Sequence, residues 1–280
     1  MANELVLFHE LPMELVRAIL VLAALDNVDQ HAAWVATLTR ISRPIYAIVQ
    51  PILTYTVVSS DLTKLCAASA YPHVFVSTRN LIITPKAGLM GLASMSARAQ
   101  LTDAFHGVEG FCGPKYVLIM LACDFTCQPR VVVLSPASQT VDNLFIDIIH
   151  ALKRTTHFHA HVSIRYHSDI DLPDLSGLQL THVILDLAFC YYDTPLLGTI
   201  RAFLSLPSMR QLVVRGQTWE EENVPQTLEF WRQLRSNGDD RLQLELKVAH
   251  DMCLEANSKV FDLSLWTPSL SSYPRHRYDG

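Results

Sequence analysis

Along the first sixty positions apolar residues recur at three- and four-residue steps. Leu15, Ile19 and Leu22 make one row, Val16, Leu20 and Ala23 lie beside it, and Glu14 and Arg17 fall outside it. This pattern predicts a helix from Pro12 to about Leu25, and proline suits a first helical position because its missing N–H has no helical partner there. Asp26-Asn27-Val28-Asp29 reads as the turn that ends it. A second helix carries Trp34, Leu38 and Ile41. After Pro44 a third carries Ile45, Ile48, Val49, Ile52 and Leu53, with Pro51 predicting a kink or stop near Gln50. Thr56-Val57-Val58 reads as extended. The apolar faces of these three helices are wider than so small a unit can cover by itself, which points to a partner.

From about residue 60 the rhythm changes to a helix, a short connector and a strand. Val141, Leu144, Phe145, Ile148, Ile149 and Leu152 form a helical stripe over Asp142 to Lys153, and His159 to Tyr166 then alternates at period two. The unit recurs as Leu62 to Ala70 with Asn80 to Thr84, as Tyr116 to Cys123 with Val131 to Leu134, as Leu196 to Ser205 with Met209 to Arg215, and as Gln226 to Arg235 with Leu242 to Val248. Leu178 to Leu187 supplies a strand whose helix is missing or reduced to Leu172-Pro173-Asp174-Leu175, and Ala93 to Phe105 leaves room for one more unit. Such spacing predicts stacked repeats with parallel strands. A doubly wound sheet also alternates helix and strand, but its strands are apolar throughout. Leu242-Gln243-Leu244-Glu245-Leu246-Lys247-Val248 alternates instead, as a sheet with one wet face requires. The expected organisation is a helical module over 8–58, a repeat domain over 59–266 and a loose tail over 267–280. The fold class is α/β with a parallel sheet.

Composition narrows the function classes. Half of the 280 residues are apolar, 18% are charged and the net charge is −5. That argues against wholesale disorder and against nucleic acid, which needs a basic face. No apolar run reaches the length of a membrane span. The N-terminus lacks a basic segment followed by an apolar core and cleavage site, and the six cysteines are scattered in apolar contexts. Both features predict an intracellular chain, cytoplasmic or nuclear, with reduced core thiols.

The residues Leu11-Pro12-Met13-Glu14-Leu15, then Ile19-Leu20, Ile41-Ser42-Arg43 and the helix ending at Pro51-Ile52-Leu53 together resemble an F-box, the module by which substrate receptors attach to Skp1 in cullin–RING ubiquitin ligases. The chain as a whole is similar to the divergent F-box-like families of mushroom-forming fungi, in which such an opening precedes leucine-rich-repeat-like units. Leu180-Thr181-His182-Val183-Ile184-Leu185 and Leu206-Pro207-Ser208-Met209-Arg210-Gln211-Leu212-Val213-Val214 match that repeat phrasing. Pro44-Ile45-Tyr46 stands where the family has a basic-plus-tryptophan cluster, and Trp34 lies earlier. The resemblance implies a three-helix F-box-like module followed by an irregular leucine-rich-repeat-like solenoid. It also implies an Skp1-like partner, contacted by Leu11, Pro12, Leu15, Ile19, Leu20, Ile41 and Ile45 through a few well-packed side chains.

Candidate chemistry is sparse. His157, His159 and His161 alternate along one strand and so share a face, where imidazoles can hold a transition metal. No carboxylate with ligand spacing stands nearby in sequence, since Asp169 and Asp171 lie beyond a turn-like segment. A solvent-facing polar row is the competing reading, and it is preferred: no metal and no cofactor is expected. Cys123 and Cys127, with Cys112 upstream, read as core thiols. Asp103, His106 and Glu109 read as a solvated helix face, and Glu220-Glu221-Glu222 as a solvated loop or helix entry. Phosphate-loop, dinucleotide and hydrolase motifs are absent from the sequence.

Outward positions of the expected strands give His159, His161, Arg165, Asp186, Arg215, Gln243, Glu245 and Lys247, a mixed-sign surface that suits a protein client. The expectation is therefore a non-catalytic adaptor with an Skp1-like partner at one end and a client at the other, with neither nucleic acid nor membrane involved. The rivals are a repeat-based binding protein whose F-box has no ligase role and, further behind, a metal-dependent enzyme built on the histidine row.

Overall fold

The computed structural model describes residues 11–84, 95–122, 127–135, 148–163, 174–188, 194–217, 232–233, 236, 238–247 and 261. Helix α1 (Met13–Leu38) begins directly after Pro12, whose carbonyl accepts the Leu15 and Val16 N–H groups at 2.9 and 3.1 Å. The turn expected at residues 26–29 is helical. Asn27 turns its side-chain amide back onto the Ala23 carbonyl at 2.8 Å, so it does not cap or break the helix. The break falls instead at His31 (φ −131°, ψ 41°), where the helix kinks. Thr39, Arg40 and Ile41 then donate to carbonyls three residues back, a tight closing turn.

Helix α2 (Arg43–Tyr55) is capped by the Ser42 hydroxyl, which accepts from the Ile45 N–H. Pro51 neither ends it nor sets its limit. The helix continues to Tyr55 because Ile52 and Leu53 pack with Ile45 and Ile48 around a small core of Ala24, Val35 and Val49.

Strand β1 (Thr56–Ser59) follows α2 without a linker, so the boundary expected after residue 58 falls inside a strand. Gln50 donates to the Val74 carbonyl at 2.6 Å, the Thr78 hydroxyl to the Thr54 carbonyl at 2.7 Å and the Arg79 N–H to the Tyr55 carbonyl at 2.9 Å. These bonds root the helical module on the first repeat unit.

The units then follow in order: α3 (Leu62–Ser69) and β2 (Asn80–Ile83), α4 (Met95–Ala104) and β3 (Gly110–Gly113), α5 (Lys115–Ala122) and β4 (Val131–Leu134). Strands β5 (His157–Ser163) and β6 (His182–Ala188) come next, then α6 (Thr194–Leu204) with β7 (Gln211–Gln217), and finally β8 (Leu242–Lys247). The unit expected near residues 93–105 is thus present, with Gly110-Phe111-Cys112-Gly113 as its strand. Residues 142–147 and most of 226–235, where helices are expected, and the tail over 267–280 lie outside the described residues.

The eight strands among the described residues pair in parallel, in chain order β1 to β8. A doubly wound sheet reverses its strand order at a switch point, and this one does not. Leu81, Phe111, Val132, Phe158, Val183 and Leu212 occupy one row on the same face. They bury against Leu65 of α3, Leu101 of α4, Leu118 of α5, Ile148 and Leu152, and Phe203 of α6, in one continuous core.

The entries to β3, β4, β5, β6 and β7 repeat one bonding pattern. The carbonyls of Arg79, Glu109, Arg130, Thr156 and Thr181 each accept two consecutive N–H groups from the next unit. Hydroxyls add to the ladder: Thr155 donates to the Pro129 carbonyl at 2.8 Å and Ser208 to the Leu180 carbonyl at 2.8 Å. These bonds satisfy backbone groups that the short connectors bury.

The opposite face was expected to be wet, and at its centre it is not. Ile82, Cys112, Val133, Ile184 and Val213 form a second buried cluster there, with Val131 and Phe261 packed against it. Phe261 lies directly over Gly110: a Cβ at that glycine would stand 2.7 Å from the Phe261 ring and 2.6 Å from Asn80 Oδ1. The close approach therefore requires glycine. Gly110→Val is expected to displace Phe261 and to destabilise the fold by about 1–3 kcal/mol, the usual cost of overpacking. Denaturant unfolding of the two proteins checks this, and an unchanged midpoint would show that Phe261 does not seat there.

Candidate functional site

The register of β4, β5, β6, β7 and β8 writes the second face as straight rows. His157 stands beside His182 and Gln211, His159 between Val133 and Ile184, and His161 beside Asp186, Arg215 and Glu245. Ser135, one residue beyond the last paired residue of β4, continues the row of His161. Alternation thus keeps all three histidines on one face, as expected, but the packing divides them.

His157 pairs with His182. Their rings stack at 4.6 Å with 5° between planes. The Thr156 hydroxyl donates to the Arg130 carbonyl and the Thr181 hydroxyl to the Thr156 carbonyl. Each hydroxyl oxygen is then left to accept from the Nδ1–H of the following histidine, at 2.9 Å in both units. Burial, then His182 and Arg130, push the His157 pKa down to about 4. Burial and then Arg210 lower that of His182.

His159, His161 and Asp186 form a separate cluster. His159 Nε2 lies 2.6 Å from Asp186 Oδ2 and His161 Nε2 lies 3.5 Å from the same oxygen. The relative exposures of the three residues are 3%, 9% and 1%. They are therefore not the solvent-facing row that strand alternation predicted. Arg215 reaches Asp186 Oδ1 at 3.7 Å and is itself held by Glu245, Nε to Oε2 at 3.1 Å.

Burial works to raise the Asp186 pKa, but His159 with its hydrogen bond, His161 and Arg215 outweigh it and hold the carboxyl below its ordinary value. Burial is the largest influence on His161 and lowers its pKa, aided by His159 and Arg215 and opposed by Asp186. The cluster thus pairs an ionised carboxylate with a neutral His161 at neutral pH.

Three buried polar atoms lack a hydrogen-bond partner among the described residues: Ser135 Oγ, His161 Nε2 and Asp186 Oδ1. Each such atom costs about 1–3 kcal/mol when left unsatisfied, and all three stand on one row of adjacent strands.

The other expected site residues scatter. Gln243 accepts from Gln211 at 3.1 Å and donates to Glu245 at 2.9 Å, and both Gln243 and Glu245 are partly exposed. Lys247 pairs in register with Gln217 at the end of β8, and Arg165 lies outside the described residues. Cys112 and Cys127 belong to clusters on opposite faces of the sheet, so they cannot share a ligand. Burial raises their thiols to about 11 and about 12, as inert core cysteines require. Glu109 pairs with Arg79 at 3.5 Å, and His106 Nδ1 bonds the Asp103 carbonyl rather than its carboxylate, so no acid–base site forms there.

On the helical module, Leu15, Ile19, Leu22 and Ile41 are exposed at 47, 41, 61 and 62%. Pro12 is exposed, Leu11 and Leu20 are half-buried, and Ile45 packs into the module's own core. At 100° per residue Leu15, Ile19 and Leu22 point away from Ala24 and Val28, which face α2. Trp34 and Tyr46 add exposed aromatic surface.

No family model, no curated protein and no solved structure matches this chain. Among the described residues no helix is long and apolar enough to cross a membrane.

Asp186 is the site residue that reading along the chain placed but did not connect. The signal was the 25-residue offset between Thr156-His157 and Thr181-His182, which fixes the β5–β6 register and sets residue 161 against residue 186.

The lowered pKa values of His157, His161 and His182 set the sign of a pH effect. The unfolded chain binds protons on these groups near pH 6.5 and the folded chain only lower down, so stability falls as pH drops from about 6.5 toward 4. Thermal unfolding between pH 7 and 5 should show a falling midpoint, and replacing His157 and His182 together by Gln should flatten that slope. A midpoint that is level or rises toward pH 5 would contradict the assignment.

Proposed function

We propose that the chain is a non-catalytic adaptor, with its helical module docking an Skp1-like protein and its repeat stack carrying a client toward ubiquitin transfer. The observation that carries this reading is the exposed apolar ridge of Leu15, Ile19 and Leu22, joined on the same module by Ile41. A three-segment helical unit that buries one side on its own core and leaves a second apolar side uncovered fits a docking element. The F-box resemblance of Leu11 to Leu15 and Ile41 to Arg43 names the partner.

Ile45 drops out of the proposed contact, since it packs inward, and Leu22 joins it. The stack fits the role of a leucine-rich-repeat-like client holder, by its parallel units and its shared strand-entry bonds. Burial removes His159, His161 and Asp186 from the client surface, which narrows to the partly exposed Arg215, Gln243 and Glu245 near the β8 edge. Holding a client there would act by effective concentration, because transfer within one assembly replaces a bimolecular encounter. In this reading the protein works inside the cell, where its partner and the ligase reside.

Leu15→Asp with Ile19→Asp changes exposed positions, so stability should move by no more than about 0.5 kcal/mol per site. Binding of purified Skp1, read by isothermal titration, should be lost in this variant and intact in the parent chain. Absence of binding by the unmodified chain would sink the adaptor role and leave a repeat-based binding protein without a ligase.

A further inference from the structure

We propose that His159, His161 and Asp186 form a binding site for a divalent transition cation of the zinc type, clipping β5 to β6 on the face of the sheet opposite the helices. Each residue offers one ligand atom, and the three atoms lie within 4.8 Å of one another. Tetrahedral zinc with imidazole and carboxylate ligands at about 2.0–2.1 Å sets ligand atoms about 3.3 Å apart. The 3.5 Å from His161 Nε2 to Asp186 Oδ2 is already near that value, and the 2.6 Å from His159 has to lengthen to reach it.

The surroundings favour a cation over a bare His–Asp pair. A hydrogen bond between His159 and Asp186 leaves His161 Nε2 buried 3.5 Å from the same carboxylate oxygen, with no hydrogen-bond partner among the described residues. A cation at that point takes the His161 lone pair, the His159 nitrogen and Oδ2 together. Asp186 Oδ1 then remains toward Arg215, a second contact of the kind that orients metal-ligating carboxylates.

The Arg215 charge does not repel the cation unopposed, because Glu245 pairs with it from the next strand. Asp186, Arg215 and Glu245 together carry one net negative charge toward the two imidazoles. Two imidazoles and one carboxylate select a zinc-type ion over calcium or magnesium, which take oxygen ligands. Three protein ligands leave a fourth position for water, and the buried Ser135 hydroxyl, which has no hydrogen-bond partner among the described residues, stands on the same row.

The test uses the full chain, stripped with chelator and titrated with Zn2+ and with Co2+. Uptake of one equivalent is expected, with the intense visible bands of a four-coordinate Co2+ site. His161→Asn and Asp186→Asn should each weaken binding about 100-fold or more, since loss of a mere supporting contact already costs 10–100-fold. His157→Gln, outside the site, should leave uptake unchanged. Less than stoichiometric uptake by the folded parent chain overturns the proposal, as do six-coordinate Co2+ bands or parent-level affinity in both ligand variants. The cobalt spectrum of the parent chain stands even where a variant fails to fold. Because Skp1 binding is not read, failure here leaves the adaptor proposal untouched.

Discussion

In-register parallel pairing of consecutive strands is the constraint on which the rest of this molecule depends. Because every unit adds its strand in the same direction and beside the last, each position of the unit falls into a straight row across the sheet. One set of rows, typified by Leu81, Phe111, Val132, Phe158, Val183 and Leu212, meets the helices and makes the core. The other set carries whatever chemistry the chain has. A slip of one residue would exchange the two sets, moving Phe158 to the open face and His159 into the helices. Register is therefore held from both sides, by apolar burial and by the strand-entry carbonyls that each bind two N–H groups of the next unit.

The same rows explain why the second face is not uniformly polar. At the β2–β4 end, and at Ile184 and Val213, it is apolar, and Phe261 closes over it against the gap at Gly110. Toward β8 it becomes a linked polar chain from His161 through Asp186 and Arg215 to Glu245. Between them lies the His159–Asp186 pair. A low-dielectric neighbourhood makes such a pair strong when satisfied and costly when not, which is why three unpartnered atoms on one row carry weight there. The helical module contributes a different asymmetry. Its inner side is fixed to the stack through Gln50, Thr78 and Arg79, while its outer ridge has no cover within the described residues. Rigid attachment at one side and apolar exposure at the other are what an adaptor of the proposed kind needs.

Much of this was legible along the chain. Period-two alternation located β5 and β8, where polar and apolar positions trade places along the strand, and recurrence of the helix–strand unit located β2, β4, β6 and β7 with α3, α5 and α6. The strand Gly110–Gly113 was hidden, since its residues are buried on both faces and two of them are glycines that leave no periodic mark. The break in α1 was misplaced because Asn27 resembles a turn former until its side chain is seen bonding back into the helix. Pro51 misled in the same way, local preference yielding to the packing of Ile52 and Leu53. The polar cluster was half legible: alternation put His159 and His161 on one face and Asp186 on the next strand. Its burial was not, because alternation tells which residues share a face and says nothing of what lies over it.

Cysteine cross-linking tests the register most directly. His157 and His182 are paired neighbours whose rings stack at 4.6 Å, whereas Asp186 stands four residues further along β6. A chain carrying His157→Cys with His182→Cys should form the disulfide readily under mild oxidant, with little formed by His157→Cys with Asp186→Cys. Efficient cross-linking of the second pair, or none in the first, would contradict the row structure from which both the core and the His159–His161–Asp186 cluster follow.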